Sequence, residues 1–211
     1  MRSIRKTLLF NQTHTLERLC ALTDGVYAIV LTLLVLDLKV PETPGLTEAK
    51  ILDDLVKQAP NFLSYIISFF VVATLWIKHH MVIKPLKQCN EGTFALNFIH
   101  LLFVTLTPYT ASLFGHYEED PIVVFLFSGS IGLAAFSLHI LHWYVVAQTT
   151  WYGEDVAEEW KHPNWLMAYP ATVLALISMF LSFISVTGAI LVWVIFPASL
   201  VLYTVLVREK K

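Results

Sequence analysis

RLCALTDGVYAIVLTLLVL, from Arg18 to Leu36, decides the fold class. Its second part, Val26 to Leu36, carries no ionisable group, and blocks like it recur along the chain. Hydrophobic residues make up 56% of the sequence and charged residues 14%, with a mean hydropathy of +0.65. Soluble domains usually carry about 25% charged residues. A soluble core absorbs one or two such blocks, not six in 211 residues. The chain reads as an all-α integral membrane protein.

Four blocks are expected to cross the bilayer singly: Thr23 to Leu38, Phe62 to Ile77, Phe94 to Phe114 and Ile122 to Val146. The block from Trp165 to Val207 would cover about 65 Å as one helix, roughly twice the hydrocarbon thickness. A turn at Ser185-Val186-Thr187-Gly188 divides it, glycine being suited to end a helix. Six transmembrane helices per subunit are therefore expected, or five if the tail of the last block lies flat. With six spans, Arg2, Arg5, Lys6, Arg18, Lys78, Lys84, Lys87, Lys161, Arg208, Lys210 and Lys211 share one side. Only Lys39, Lys50 and Lys57 fall on the other, so both termini are expected in the cytoplasm. The acidic clusters Glu118-Glu119-Asp120 and Glu154-Asp155-Glu158-Glu159 lie on opposite sides and decide little.

Trp76, Trp143, Trp151, Trp160 and Trp165 stand near span ends, where an indole buries its ring and keeps its N–H wet. Trp193 is inside a span, so its N–H requires a neighbour or a protein interface. Cys20 and Cys89 both fall near the reducing cytoplasmic face, which argues against a structural disulfide. The amino terminus is too polar for the apolar region of a cleaved signal. Between Pro41 and Pro60 lies an extracytoplasmic connection with a turn at Pro44-Gly45 and Thr47 as an N-cap candidate. There Ile51, Leu52, Leu55 and Val56 share one helical face opposite Lys50, Asp54 and Lys57. This short amphipathic helix lies on the outer surface or over the mouth of an assembly, or it is a mere spacer. Residues 1–211 form one transmembrane domain.

Arg18 and Asp24 are six residues apart, so both fall near the cytoplasmic end of the first span. Either one buried alone would cost several kcal/mol. A hydrogen-bonded knot of Arg18, Asp24, Trp76 and either His79 or His80 removes much of that penalty and locks the first helix in depth and rotation. The alternative is snorkelling, with Arg18 marking the interface. Asn97 and His100 share a face, and Pro108 is expected to kink the third helix. Ser128, Gly129, Ser130 and Gly132 form a small-residue patch suited to close helix packing. His139 and His142 have i, i+3 spacing, yet no HExxH or cysteine-rich set supports zinc. No P-loop, CxxC pair, dinucleotide fingerprint or nucleophile–base motif is present, so neither an enzyme nor a cofactor is expected. Basic residues are too few for nucleic-acid binding.

Arg18-Leu19-Cys20-Ala21-Leu22-Thr23-Asp24-Gly25 resembles the RxxxFSDG motif of the transmembrane protein 175 family of lysosomal-type potassium channels, in its prokaryotic branch. The likeness continues through VYAIVLTLLVLDLKVPE, SYIISFFVVATLWIKHH and LNFIHLLFVTLTPYTASLFGHYEED, covering roughly Leu16 to Asp120. Leu22 stands where the family has Phe, and Thr23 where it has Ser. The resemblance implies six helices per subunit and a homotetramer around a central pore lined by the first helix. It also implies a multi-pass protein of the cell inner (plasma) membrane that conducts potassium ions. Selectivity in the family depends on pore-lining side chains rather than on a TVGYG-like carbonyl filter, which this chain lacks. Aligned from Asp24, the narrow isoleucine layer falls on Ile29 and the threonine on Thr32.

Helical spacing is consistent with that transfer. Ile29, Leu33 and Leu36 make one stripe with Thr32 beside it. Four such stripes would stack into apolar rings that block ions by refusing water. Without the resemblance, the same stripe reads as facing lipid or packing inside a subunit. Asp37 lies just beyond it and would attract cations at the pore mouth, pair with Lys39, or cap the helix end. Asp24, His79 and His80 keep an ion-coupled carrier or proton-linked transporter in view as the alternative.

Overall fold

The computed structural model describes residues 12–40, 47–148, 151 and 170–196. Outside these residues lie the Pro44-Gly45 turn, the Glu154 to Glu159 cluster, Trp160, Lys161, Trp165 and the basic residues Arg2, Arg5, Lys6, Arg208, Lys210 and Lys211. Helix α1 (Gln12–Leu33) passes directly into a 3-10 turn (Leu34–Asp37). The short α2 (Glu48–Lys57) precedes α3 (Ala59–Ile83) by a single residue. Helices α4 (Glu91–Thr105) and α5 (Thr107–His116) form one rod interrupted at Leu106, and α6 (Pro121–Val146) follows. Two further helices, α7 (Pro170–Ser182) and α8 (Val186–Phe196), close the described chain.

The expectation of six transmembrane helices is corrected here. Among the described residues, four helical segments are long and apolar enough to cross a membrane: Leu16–Asp37, Ala59–Ile83, Glu91–His116 and Pro121–Val146. The chain is a multi-pass membrane protein, but α7 and α8 are shorter apolar helices. At 1.5 Å per residue, the 13 and 11 residues described for them rise about 20 and 16 Å, against about 30 Å of hydrocarbon. The apolar block is divided close to the expected turn, but an apolar run does not by itself fix how many of its residues one helix contains. The helix ends at Ser182, and Phe183, Ile184 and Ser185 separate the two pieces.

Small residues and hydroxyls bring α7 and α8 onto α6. A Cβ added at Gly132 would stand 2.9 Å from the Cβ of Ala175, so glycine is what permits this approach. Trp193 is fully buried, and its indole N–H donates to Ser128 Oγ at 2.9 Å. Ser178 donates to the Ala189 carbonyl at 3.0 Å, leaving its oxygen to accept from Ser128 at 2.8 Å. The relay runs in one direction and satisfies each of these buried donors, as an apolar surrounding requires.

Local chemistry sets the helix ends. Asn90 and Thr93 form a reciprocal capping box at the start of α4, and Asp120 caps α6 by accepting from the Ile122 N–H. Thr47 occupies the N-cap of α2, but its hydroxyl makes no capping bond. On α2, Lys57 bonds Asp53 at 2.5 Å, and this contact raises the lysine pKa. The break at Leu106 precedes Pro108, whose ring nitrogen has no hydrogen to continue the ladder. Cys20 and Cys89 are free thiols. Burial, and then the neighbouring Cys20, push the Cys89 thiol up in pKa, so the thiolate is disfavoured.

Two contacts fix the register of α3 against the α4–α5 rod. Ser64 near the start of α3 donates to the Ala111 carbonyl near the end of the rod, at 2.6 Å. His79 near the end of α3 meets Asn97 near the start of the rod. The two run antiparallel, and α1 packs across both.

Candidate pore-lining face and buried polar network

Helix α1 has two faces of different fate. Leu19, Thr23, Tyr27, Val30 and Leu34 are all at most 4% exposed and follow helical spacing, so they anchor the helix to the rest of the chain. The opposite face carries Leu22, Ile29, Thr32, Leu33 and Leu36, all exposed in the single chain, with Ile29 at 59% and Leu36 at 70%. Thr32 donates its hydroxyl hydrogen to the Ile29 carbonyl at 2.8 Å, shared with Ala28 at 3.1 Å. Its oxygen lone pairs remain available as acceptors.

The buried face is bonded directly by α4, whose two polar residues are held in turn by α3 and α6. Asn97 Nδ2 of α4 donates to Thr23 Oγ1 at 2.9 Å. His79 Nε2 of α3 donates to Asn97 Oδ1 at 2.6 Å. The asparagine uses both ends of its amide, which fixes its orientation. The His79 ring lies parallel to His100, with centroids 5.7 Å apart. His100 Nδ1 is 3.0 Å from the Ala134 carbonyl and 3.1 Å from Ser137 Oγ on α6. A carbonyl only accepts, so Nδ1 carries the hydrogen. Nε2 of the neutral ring then accepts from the Tyr27 hydroxyl at 2.7 Å. Thr23, Tyr27, His79, Asn97 and His100 are all buried. Rotation or axial slip of α1 breaks several of these bonds at once, so the network sets the azimuth of the exposed face.

At the Asp24 level the expected residues separate into two groups. Trp76 donates its indole N–H to Asp24 Oδ1 at 2.8 Å, and the Trp76 and His80 rings are 5.9 Å apart. His79 instead turns inward to Asn97. Arg18 is exposed, and no ion pair joins it to Asp24 among the described residues. At the other end of α1, Asp37 accepts from Ser112 Oγ of α5 at 2.8 Å. His116 Nδ1 donates to the Ser112 carbonyl at 2.8 Å and lies 3.7 Å from Asp37 Oδ2. Asp37 is thus tied to α5 rather than to Lys39.

Sequence reasoning missed Tyr27, Ser137, Ser112 and His116. The shared face of Asn97 and His100 was a usable signal for part of the network, but their partners stand up to 74 positions away. Among the described residues no group of three or more His, Cys, Asp or Glu is arranged to hold a metal ion.

The family described as endosomal/lysosomal potassium channel TMEM175 matches residues 18–108, which take in most of α1, the network residues on α3 and α4, and the helix break. Over these residues the chain is similar to this family. A potassium channel of Streptomyces collinus is 29% identical over 136 residues, 64% of this chain and 62% of that protein. The human endosomal/lysosomal proton channel TMEM175 is 32% identical over 155 residues, 65% of this chain and 31% of that one. The chain therefore spans less than two thirds of the length of either relative. In fold it is similar to the crystal structure of a lysosomal potassium-selective channel TMEM175 homolog from Chamaesiphon minutus. The TM-score is 0.75 at 23% identity, over 90% of this chain and 98% of that one.

Proposed function

We propose that this chain is a subunit of a potassium-preferring cation channel, a homotetramer of the cell inner membrane that conducts passively along a central axis lined by α1. The observation that carries the reading is the asymmetry of α1. One face is pinned by a buried hydrogen-bond network while Ile29, Thr32, Leu33 and Leu36 are left uncovered. The match of residues 18–108 to that family and the potassium channels among the relatives favour this use of the face over contact with lipid. Four copies would place Ile29 and Leu33 in apolar rings and Thr32 oxygens beside them. A dry ring is a barrier to ions until it widens enough to hydrate. Asp37, fixed by Ser112, adds negative charge at one mouth and concentrates cations there.

Purified protein in planar bilayers tests this. Unitary currents that follow the potassium gradient, with a reversal potential nearer potassium than sodium, are expected. Flux strictly coupled to a second ion would replace the pore by a carrier. Proton conduction is the second reading, favoured by the proton channel name of the human relative. Reversal potentials that follow the pH gradient instead of the potassium gradient would establish it.

Thr32→Val is expected to reduce the potassium-to-sodium permeability ratio by about 2- to 10-fold while conduction persists. The change keeps the shape and deletes an acceptor whose interaction is of order 0.5–1.5 kcal/mol. Bi-ionic reversal potentials measure it directly. Equal values for the two proteins would remove Thr32 from the selecting layer.

A further inference from the structure

The register between α3 and α5 brings together two side chains that the conduction pathway does not use. Ser64 contacts Ala111 across the antiparallel pair. One turn later on α3 stands Ser68, and one turn earlier on α5 stands Thr107, so the two hydroxyls occupy facing positions. Ser68 is 0% and Thr107 1% exposed. Neither hydroxyl oxygen has a hydrogen-bond partner among the described residues.

Their neighbours behave otherwise. Ser64 donates to the Ala111 carbonyl. Thr110 meets the Thr107 carbonyl and Ser130 Oγ, and Ser130 returns to the Phe127 carbonyl. Buried hydroxyls here find partners on their own helix or the next, which makes the facing pair an exception. The pair also adjoins the break at Leu106. In an unbroken helix the Val104 carbonyl would accept from residue 108, and Pro108 has no N–H to give. Two buried hydroxyls thus stand on facing positions of an apolar interface, beside a break in the backbone ladder.

We infer that Ser68 Oγ and Thr107 Oγ1 form a binding site for one water molecule between α3 and α5, beside the break at Leu106. A water molecule has two hydrogens and two lone pairs, enough to bridge both hydroxyls. Buried waters typically make about two to four such bonds. Helix breaks at membrane depth are stabilised in this way when neighbouring hydroxyls and ordered water take up the freed backbone groups. The site also bears on α1, because α5 carries Ser112, which holds Asp37.

The test uses the full chain in lipid nanodiscs. A structure of the unsubstituted protein at a resolution that shows ordered water is expected to contain a peak about 2.7–3.0 Å from both hydroxyl oxygens. Ser68→Ala and Thr107→Val are each expected to lower the Tm by about 3–8 °C, since each strips the water of a partner and exposes the other hydroxyl's need for one. The double variant, with both hydroxyls gone, is expected to lose less than the sum of the two. A raised or unchanged Tm for Ser68→Ala would mean a dry, unsatisfied hydroxyl whose removal relieves a cost, and would overturn the site. So would two hydroxyl oxygens in direct contact with no peak between them, a readout that does not depend on any variant folding.

Discussion

Ile29→Asn is expected to raise cation current by on the order of tenfold and to weaken discrimination among cations. Ile29 is 59% exposed on α1, on the side opposite the buried Tyr27 and Val30. In a ring of four, branched aliphatic side chains leave water no hydrogen-bond partner, so a narrow passage between them dries. An amide of nearly the same size offers both a donor and an acceptor and keeps the passage wet. A tenfold rise corresponds to lowering the barrier by about 1.4 kcal/mol, modest for rehydrating a constriction. The same wetting admits ions with more of their hydration shell, which makes them harder to tell apart. Unitary currents and bi-ionic reversal potentials of the reconstituted variant check both parts. A protein that assembles normally with unchanged current would move the constriction away from Ile29. If this face instead met lipid, the variant would insert or assemble poorly with no gain in current per channel.

The sequence was most informative where a single helix decides the outcome. Uncharged runs located the four crossing segments, because the bilayer demands apolar side chains over a continuous helical length. The same signal overcounted after the fourth segment: the expected division falls within a few residues of the observed break at Phe183 to Ser185, but the described helices on either side are shorter than a span. Side-chain stripes along α1 were legible for a similar reason, since period 3.6 places Ile29, Leu33 and Leu36 together whatever surrounds them. Which stripe is anchored and which is left open was not legible, because that depends on α3, α4 and α6. Thr23 and Asn97 are 74 positions apart, and Ser112 is 75 from Asp37. No local pattern encodes such pairings. The histidines show the limit well. His79 and His80 are adjacent in sequence, yet one is buried against Asn97 and the other is exposed beside Trp76.

Asn97→Leu is expected to cost the fold about 2–6 kcal/mol, the largest stability loss among these substitutions. Leucine fills a similar volume, so packing changes little and the loss is one of hydrogen bonds. The wild-type amide accepts from His79 at 2.6 Å and donates to Thr23 at 2.9 Å, both in fully or almost fully buried positions. Removing it leaves an imidazole N–H and a hydroxyl oxygen without partners in an interior with no water to replace them. Each such group costs about 1–3 kcal/mol. His79 also stacks on His100, which Tyr27 reaches from α1, so a shift of the His79 ring disturbs the second half of the network. Loss of both contacts frees α1 to rotate, and the open face then ceases to present Ile29 and Thr32 in one direction. The expected result is a much lower Tm in detergent. Channels that survive should show scattered unitary conductances rather than one altered value. A second substitution, Thr23→Val, should add little on the Asn97→Leu background, because its partner is already gone. A Tm within about one degree of wild type, with uniform unitary conductance, would show that helix packing alone sets the azimuth of α1 and that the network is dispensable.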